Sequence, residues 1–283
     1  MAISSTKDAL STWFYQVLPA LLPFCIMSHL FVQTRWLSMG LLHHNFIAIL
    51  FISVMGCIFG FPLGAKLTCN MYKEGLINLP QAQILSVTSN QFSLMYICGY
   101  VLPLITEDLK IILLFCVLIY GLPFMLGIFL SMINKDKNFA HKNTASRFQL
   151  DMQIIDAGIV SSFETLIKLC GYIVIFSLFT ASLTQFIDQS NPVLGIILCN
   201  LEITNGITIL SRWDYSIKFK YILATQLISF GGMCGLYQSA SILYPNGLSM
   251  KKYFIGKITL SAIVTGIVCI LYDLVFYSII YHG

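Results

Sequence analysis

Long uncharged runs alternate with short clusters of charge along the chain. The runs are Ala9–Thr34, Asn45–Ala65, Gly75–Thr106, Ile111–Asn134, Leu169–Ile187, Gln189–Leu201 (continuing past Glu202 to Ser211), Ile222–Met250 and Ile258–Tyr272. A helix needs about 20 apolar residues to cross the hydrocarbon of a bilayer, and most of these runs are long enough. The second and sixth are interrupted near their centres, at Gly60-Phe61-Pro62-Leu63-Gly64 and Glu202-Ile203-Thr204-Asn205-Gly206. Glycine, proline and a charge in mid-run predict re-entrant hairpins or broken helices, not plain spans.

The longest polar stretch, Lys135 to Arg147, divides the chain nearly in half. Shifting one half by 148 positions aligns Asp8-Ala9 with Asp156-Ala157, Leu18 with Leu166, Leu21 with Leu169 and Leu30-Phe31 with Leu178-Phe179. The order of features repeats as well: a long span, a Gly-interrupted run, a span with a polar centre, and a final span. The polar centres are Ser89-Asn90-Gln91 and Ser229-Phe230-Gly231-Gly232. The predicted fold is an all-α polytopic membrane protein with a first repeat over 1–134, a basic cytoplasmic linker over 135–149 and a second repeat over 150–283. Three spans and one hairpin per repeat would place the repeats in opposite orientations. With the linker in the cytoplasm, Arg35, Lys66, Lys73, Lys168, Lys251, Lys252 and Lys257 fall on that side too. Only Lys7, Lys110, Arg212, Lys218 and Lys220 fall outside. The excess of basic residues favours this orientation, with both termini extracytoplasmic.

Composition agrees. The 283 residues are 57% hydrophobic and 10% charged, where a soluble domain carries about 25% charged residues. The net charge of +4 is dispersed in small clusters, which excludes the continuous basic stripe of a nucleic-acid-binding face. The first apolar run is too long for the core of a cleavable signal peptide. The nine cysteines form no CxxC or spaced cluster, so neither metal nor disulfide is expected. The absence of HExxH, GxSxG, a P-loop or a helix-opening GxGxxG argues against an enzyme.

The candidate chemistry lies at the interruptions. Glu202 is the only charge between Gln189 and Ser211. An acidic group at membrane depth costs a few kcal/mol or more unless it is paired, protonated or wet. Thr204 and Asn205 add hydrogen-bonding groups, and Gly206 permits unwound backbone. A shallow, hydrated carboxylate is the plainer alternative. In the first half, Pro62 breaks the helix's bonding, and Gly60 and Gly64 admit close approach by a ligand or by a packed helix. Three adjacent polar side chains, Ser89, Asn90 and Gln91, predict at least one on a cavity wall or in an unwound turn, with the cavity favoured. Interhelical hydrogen bonding is the rival reading. Ser229, Gly231 and Gly232 mark a weak point at the equivalent depth of the second half.

Several of these motifs carry a resemblance. Trp13-Phe-Tyr-Gln-Val-Leu-Pro-Ala-Leu-Leu-Pro-Phe24, Gly60-Phe-Pro-Leu-Gly-Ala-Lys66, Tyr72-Lys-Glu-Gly-Leu76 and Ser89-Asn-Gln91 belong to the first half. Gly171-Tyr-Ile-Val-Ile-Phe176, Leu201-Glu-Ile-Thr-Asn-Gly-Ile207 and Ile228-Ser-Phe-Gly-Gly232 belong to the second. Together they resemble the Gate (nucleoside recognition) domain family, above all its YlbJ-type sporulation membrane branch. The layout is more distantly similar to the core of concentrative nucleoside transporters. That likeness implies a bacterial multi-pass cell-membrane protein, with Glu202 facing a solute and Ser229 to Gly232 on a second broken helix. The chain departs from the nucleoside-transporter pattern at the first hairpin, which has Phe61-Pro62-Leu63 in place of Gln-Thr-Glu. It departs again where glycines replace asparagine and serine in the second broken helix.

The expected function is secondary or facilitated transport of a small polar solute, nucleoside-like in class. Na+ or H+ is the expected coupling ion, and no other cofactor is expected. The alternative is a non-transporting subunit or scaffold of an export, envelope or sporulation assembly, with a homo-oligomeric or membrane-protein partner.

Overall fold

A computed structural model of the chain describes residues 2–33, 45–106, 108–134, 151–185 and 192–282. The basic linker 135–149, Arg35 and the side chain of Asn205 lie outside the described residues. Those described are mostly helical, with no strand among them.

Helix α1 (Ala2–Thr12) passes through a wider π turn at Trp13–Val17 into α2 (Leu18–Gln33). Pro19 and Pro23 have no N–H to offer the turn before them, and the irregular turn sits just upstream of Pro19. Helix α3 (Asn45–Phe59) stops at Gly60, whose φ is 71°, and α4 (Leu63–Lys73) restarts after Pro62 and packs back against α3. Helix α5 (Leu79–Thr88) opens on a capping box: Asn78 Oδ1 accepts from Gln81 N at 2.8 Å and Gln81 Oε1 accepts from Asn78 N at 3.0 Å. The chain unwinds over residues 89–93 and recoils as α6 (Leu94–Tyr96), a π turn (Ile97–Val101) and a 3-10 turn. Helix α7 (Leu109–Ile133) completes the first half.

The second half runs through the same order. Helix α8 (Met152–Leu183) lies along α1 and α2, and Trp13 Nε1 donates to the Leu166 carbonyl at 2.9 Å. Helices α9 (Pro192–Leu201) and α10 (Ile203–Arg212) pack together with Glu202 as their only non-helical link. Helices α11 (Ile217–Phe230) and α12 (Gly232–Leu243) meet at Gly231, which takes the left-handed conformation at φ 96° that side chains other than glycine rarely adopt. Helix α13 (Met250–His282) is last.

Three hydrophobic clusters form among the described residues; the smallest joins α2, the α3–α4 couple and α8 through Cys25, Phe59, Leu63 and Leu166, and the two larger ones each draw on both halves. One of the larger pair joins α3 and α4 to α5, to the end of α12 and to the first part of α13, through residues such as Ile49, Leu67, Leu85, Leu243 and Tyr253. The other joins α9 and α10 to α11, to the turns after α6 and to the first part of α7, through Ile207, Ile228, Val101 and Phe115. Each of these two therefore pairs one half's helix couple with the far end of the other half's broken helix. Ile111–Ile133, Met152–Leu183 and Met250–Tyr272 are long and apolar enough to cross a membrane. Large apolar side chains stand exposed on all three, among them Val117, Met125, Ile167, Ile175, Ile258 and Ile270. Water would penalise so much bare apolar area, and lipid does not. The chain is a helical membrane protein.

Two of the lysines taken as cytoplasmic orientation signals are buried. Lys66 reaches α8, donating from Nζ to the Ser161 carbonyl (3.2 Å), Ser161 Oγ (3.1 Å) and Thr165 Oγ1 (2.9 Å). Lys257 is wholly enclosed. A hydropathy profile registers a lysine's charge but not the groups that surround it.

Candidate functional site

Glu202 fills the one-residue gap between α9 and α10. Its Oε1 accepts from Thr204 N at 2.9 Å. A carboxylate there satisfies an open N–H of α10 and meets the positive end of the helix dipole. The side chain is only 8% exposed, and what it does expose faces a cavity of about 790 Å³. The walls are α1, α8, the α6 segment, α10 and α12. Thr204 and Thr208 line it beside Glu202. Tyr100 OH donates to the Thr204 carbonyl at 3.1 Å and lies 2.8 Å from Thr208 Oγ1, and Tyr96 OH is 3.5 Å from Thr204 Oγ1. Gly206 stands where α9 and α10 touch, since a Cβ there would lie 2.8 Å from Cys199 Cα. Asp8 and Arg212 add opposite charges to the wall.

A row of rings continues this wall. Phe61, Phe92, Tyr96 and Tyr100 follow one another with centroids 5.1, 5.0 and 5.4 Å apart. Spacing of about 5 Å is favourable for offset aromatic packing, and all four side chains line the cavity. The row is absent from the sequence reading. Its signal was the four-residue spacing of positions 92, 96 and 100; Tyr96 and Tyr100 share a helical face, and Phe92 joins them from the unwound stretch just before α6.

The first helix couple meets the first break. Gly56 and Gly64 lie directly against the backbone of Ser89; a Cβ on Gly64 would also come within 3.0 Å of Asn90 Cα. At Gly60 a Cβ would lie 2.8 Å from Ser93 Cα. Asn90 is fully buried and ties four elements. Its Oδ1 accepts from Ala65 N at 3.3 Å, and its Nδ2 donates to Ser239 Oγ at 2.6 Å and Tyr253 OH at 3.0 Å. Its carbonyl accepts from Lys257 Nζ at 2.6 Å. Gln91 turns back to cap α5, donating to the Val87 and Thr88 carbonyls at 3.3 Å each. Of the two settings expected for Ser89, Asn90 and Gln91, they occupy the unwound turn: all three are buried, and none lines the cavity at Glu202. Asn90 spends its polar groups on α4, α12 and α13, while Ser89 and Gln91 bond back to α5, so the segment acts as a joint.

The second break is divided. Gly231 lines the cavity, and a Cβ on it would fall 2.7 Å from the Phe61 ring. Gly232 does not line it; it lies against Ile203, where a Cβ would come within 2.9 Å. Ser229 is buried, and its Oγ has no hydrogen-bond partner among the described residues.

A second, smaller cavity of about 210 Å³ adjoins the first and is lined by Pro62, Glu164, Lys168, Ser241 and Asn246 among others. Leu169 and Gln238 border both cavities, and Phe61 borders one where Pro62 borders the other. Along α8 the small cavity touches residues 161–172 and the large one 169–184. Along α12 and the turn after it, the large cavity touches Gly231 to Gln238 and the small one Gln238 to Asn246. The two voids lie end to end, with Phe61-Pro62, Leu169 and Gln238 between them.

No protein-family profile matches the chain, and no solved structure matches it. It is similar to the sporulation integral membrane protein YlbJ of Bacillus subtilis (strain 168), at 25% identity over 303 aligned positions covering 91% of this chain and 74% of YlbJ. Over nearly its whole length, then, the chain is like a membrane protein of spore formation.

Proposed function

We propose that this protein is an integral membrane component of a sporulation or cell-envelope assembly. The observation that carries this reading is its likeness to YlbJ along 91% of its length. Its fold would be two inverted repeats, each with one re-entrant helix couple (α3–α4 and α9–α10). The reciprocal make-up of the two larger cores supports that arrangement. A membrane-protein partner or a second copy would complete the assembly.

A second reading, passage of a small polar solute, is favoured by one observation: Glu202 and two threonines face a void of about 790 Å³ beside a row of aromatic rings. A solute with a planar ring and hydroxyl or amino groups, nucleoside-like in outline, suits that combination of aromatic lining and acceptors. Glu202 would bind the solute or carry a proton.

One experiment separates the two. The gene is deleted in the cell that encodes it and replaced with wild-type or Glu202→Gln, and heat-resistant spores are counted. No loss on deletion would overturn the sporulation reading. Rescue by wild-type but not by a stably inserted Glu202→Gln would support solute handling. Full rescue by both, with a membrane partner co-purifying, would leave the assembly role alone standing. A thermal-shift screen of purified protein against nucleosides, amino acids, short peptides and monovalent cations identifies any solute class.

A further inference from the structure

Lys257 has no part in the cavity chemistry above. It lies on α13, seven residues beyond Met250, in a segment long and apolar enough to cross the membrane. Its side chain is fully buried. Charged groups at such depth are expensive and seldom persist without a use. Among the described residues, its ammonium meets the Asn90 carbonyl at 2.6 Å and the face of Phe61 at 4.7 Å from the ring centroid. The structure gives it no carboxylate partner among those residues.

Asn90 sits where α5 has just ended, so its carbonyl belongs to the negative end of that helix and has no helical N–H to accept from. The same break holds a further oxygen: Gln91 Oε1 is buried and has no hydrogen-bond partner among the described residues. Carbonyl oxygens freed at a broken helix are what a small monovalent cation seeks in a membrane protein, and an aromatic face adds attraction for any cation.

The geometry points to Lys257 as a tethered cation: its ammonium occupies the oxygen-lined break between α5 and α6 where a free monovalent cation would otherwise bind, so the wild-type protein has no need of one there. The break would be closed by the protein's own side chain. Removing the ammonium would open a site for Na+ or a small alkylammonium ion. This stands whether or not the cavity at Glu202 passes a solute, because its test reads stability alone.

The test compares wild-type, Lys257→Ala and Lys257→Met in detergent, melted in choline, sodium and methylammonium chloride at equal ionic strength. Wild-type is expected to melt at one temperature in all three. Lys257→Ala should melt well below wild-type in choline and recover with sodium or methylammonium. The recovery should be on the order of 5 °C once the cation exceeds its dissociation constant a hundredfold. Lys257→Met fills the space with an apolar chain and should stay low in every salt. A sodium-specific rise in wild-type overturns the proposal. So does an alanine variant that is equally unstable, or unrecoverable, in every cation.

Discussion

Replacing Asn90 by alanine tests the joint between the two halves. The substitution removes the acceptor for Ala65 N and the donors to Ser239 Oγ and Tyr253 OH, while the backbone carbonyl that holds Lys257 remains. The two hydroxyls can turn toward other acceptors. The Ala65 amide, in the first turn of α4, cannot. An orphaned buried N–H costs about 1–3 kcal/mol, and side-chain bonds within a membrane bundle average about 0.6 kcal/mol each. The expected loss is about 2–4 kcal/mol, which lowers the melting temperature of a protein this size on the order of 5–10 °C. Asn90→Asp is the informative partner. It keeps an oxygen for Ala65 N, and the hydroxyls of Ser239 and Tyr253 can become donors because their protons rotate. It should retain most of the stability that alanine loses. The assay is thermal unfolding in detergent, followed by intrinsic tryptophan fluorescence. An alanine variant melting within a degree of wild-type, or an aspartate variant as damaged as alanine, would refute the reasoning.

Other perturbations give equally definite expectations. Gly56→Ala drives a methyl into the Ser89 backbone and should cost about 1–3 kcal/mol by overpacking, read by the same melt; an unchanged midpoint would mean α3 and the break do not touch. Phe61→Ala removes the ring between the two voids and should make a cysteine placed at Gln238 react faster with a water-soluble maleimide, whereas an unaltered rate would deny Phe61 a sealing role. Glu202→Gln keeps an oxygen for Thr204 N and should leave the melting temperature within a few degrees of wild-type while abolishing any solute-induced shift; a shift that survives would remove Glu202 from the binding wall. Lys66→Met strips three hydrogen bonds to α8 and should loosen α8 from α4, seen as faster proteolysis after residue 150. A cleavage pattern identical to wild-type would show that the bonds contribute nothing.

Much of this was readable before any coordinates, because the interruptions are local chemistry. Gly60 with Pro62, Glu202 at the centre of an apolar run and the glycines at 231 and 232 each break a helix by their own nature, and the structure breaks at each. What each break then faces depends on neighbours far along the chain. Asn90 looks the same in sequence whether it lines water or binds Ser239, 149 positions away. Lys66 and Lys257 appear at ends of apolar runs, where lysines usually reach the headgroups, yet both turn inward. Only α8 in one case, and the first break in the other, decides that. The cavity wall was half legible: Glu202 and Thr204 stood out as polar among apolar residues. The rings of Phe92, Tyr96 and Tyr100 passed as ordinary membrane aromatics because apolar groups carry no contrast there.

Phe61 has one consequence beyond sealing. The ammonium of Lys257 rests on its ring, Phe92 packs beside it, and Gly231 lies so near that a Cβ there would come within 2.7 Å of it. Three parts of the bundle thus read the position of a single side chain at the turn between α3 and α4. If that turn shifts by an ångström, the anchored charge, the aromatic row and the left-handed kink between α11 and α12 must all adjust together. A disturbance entering at any one of them is transmitted to the other two through this one plate of carbon.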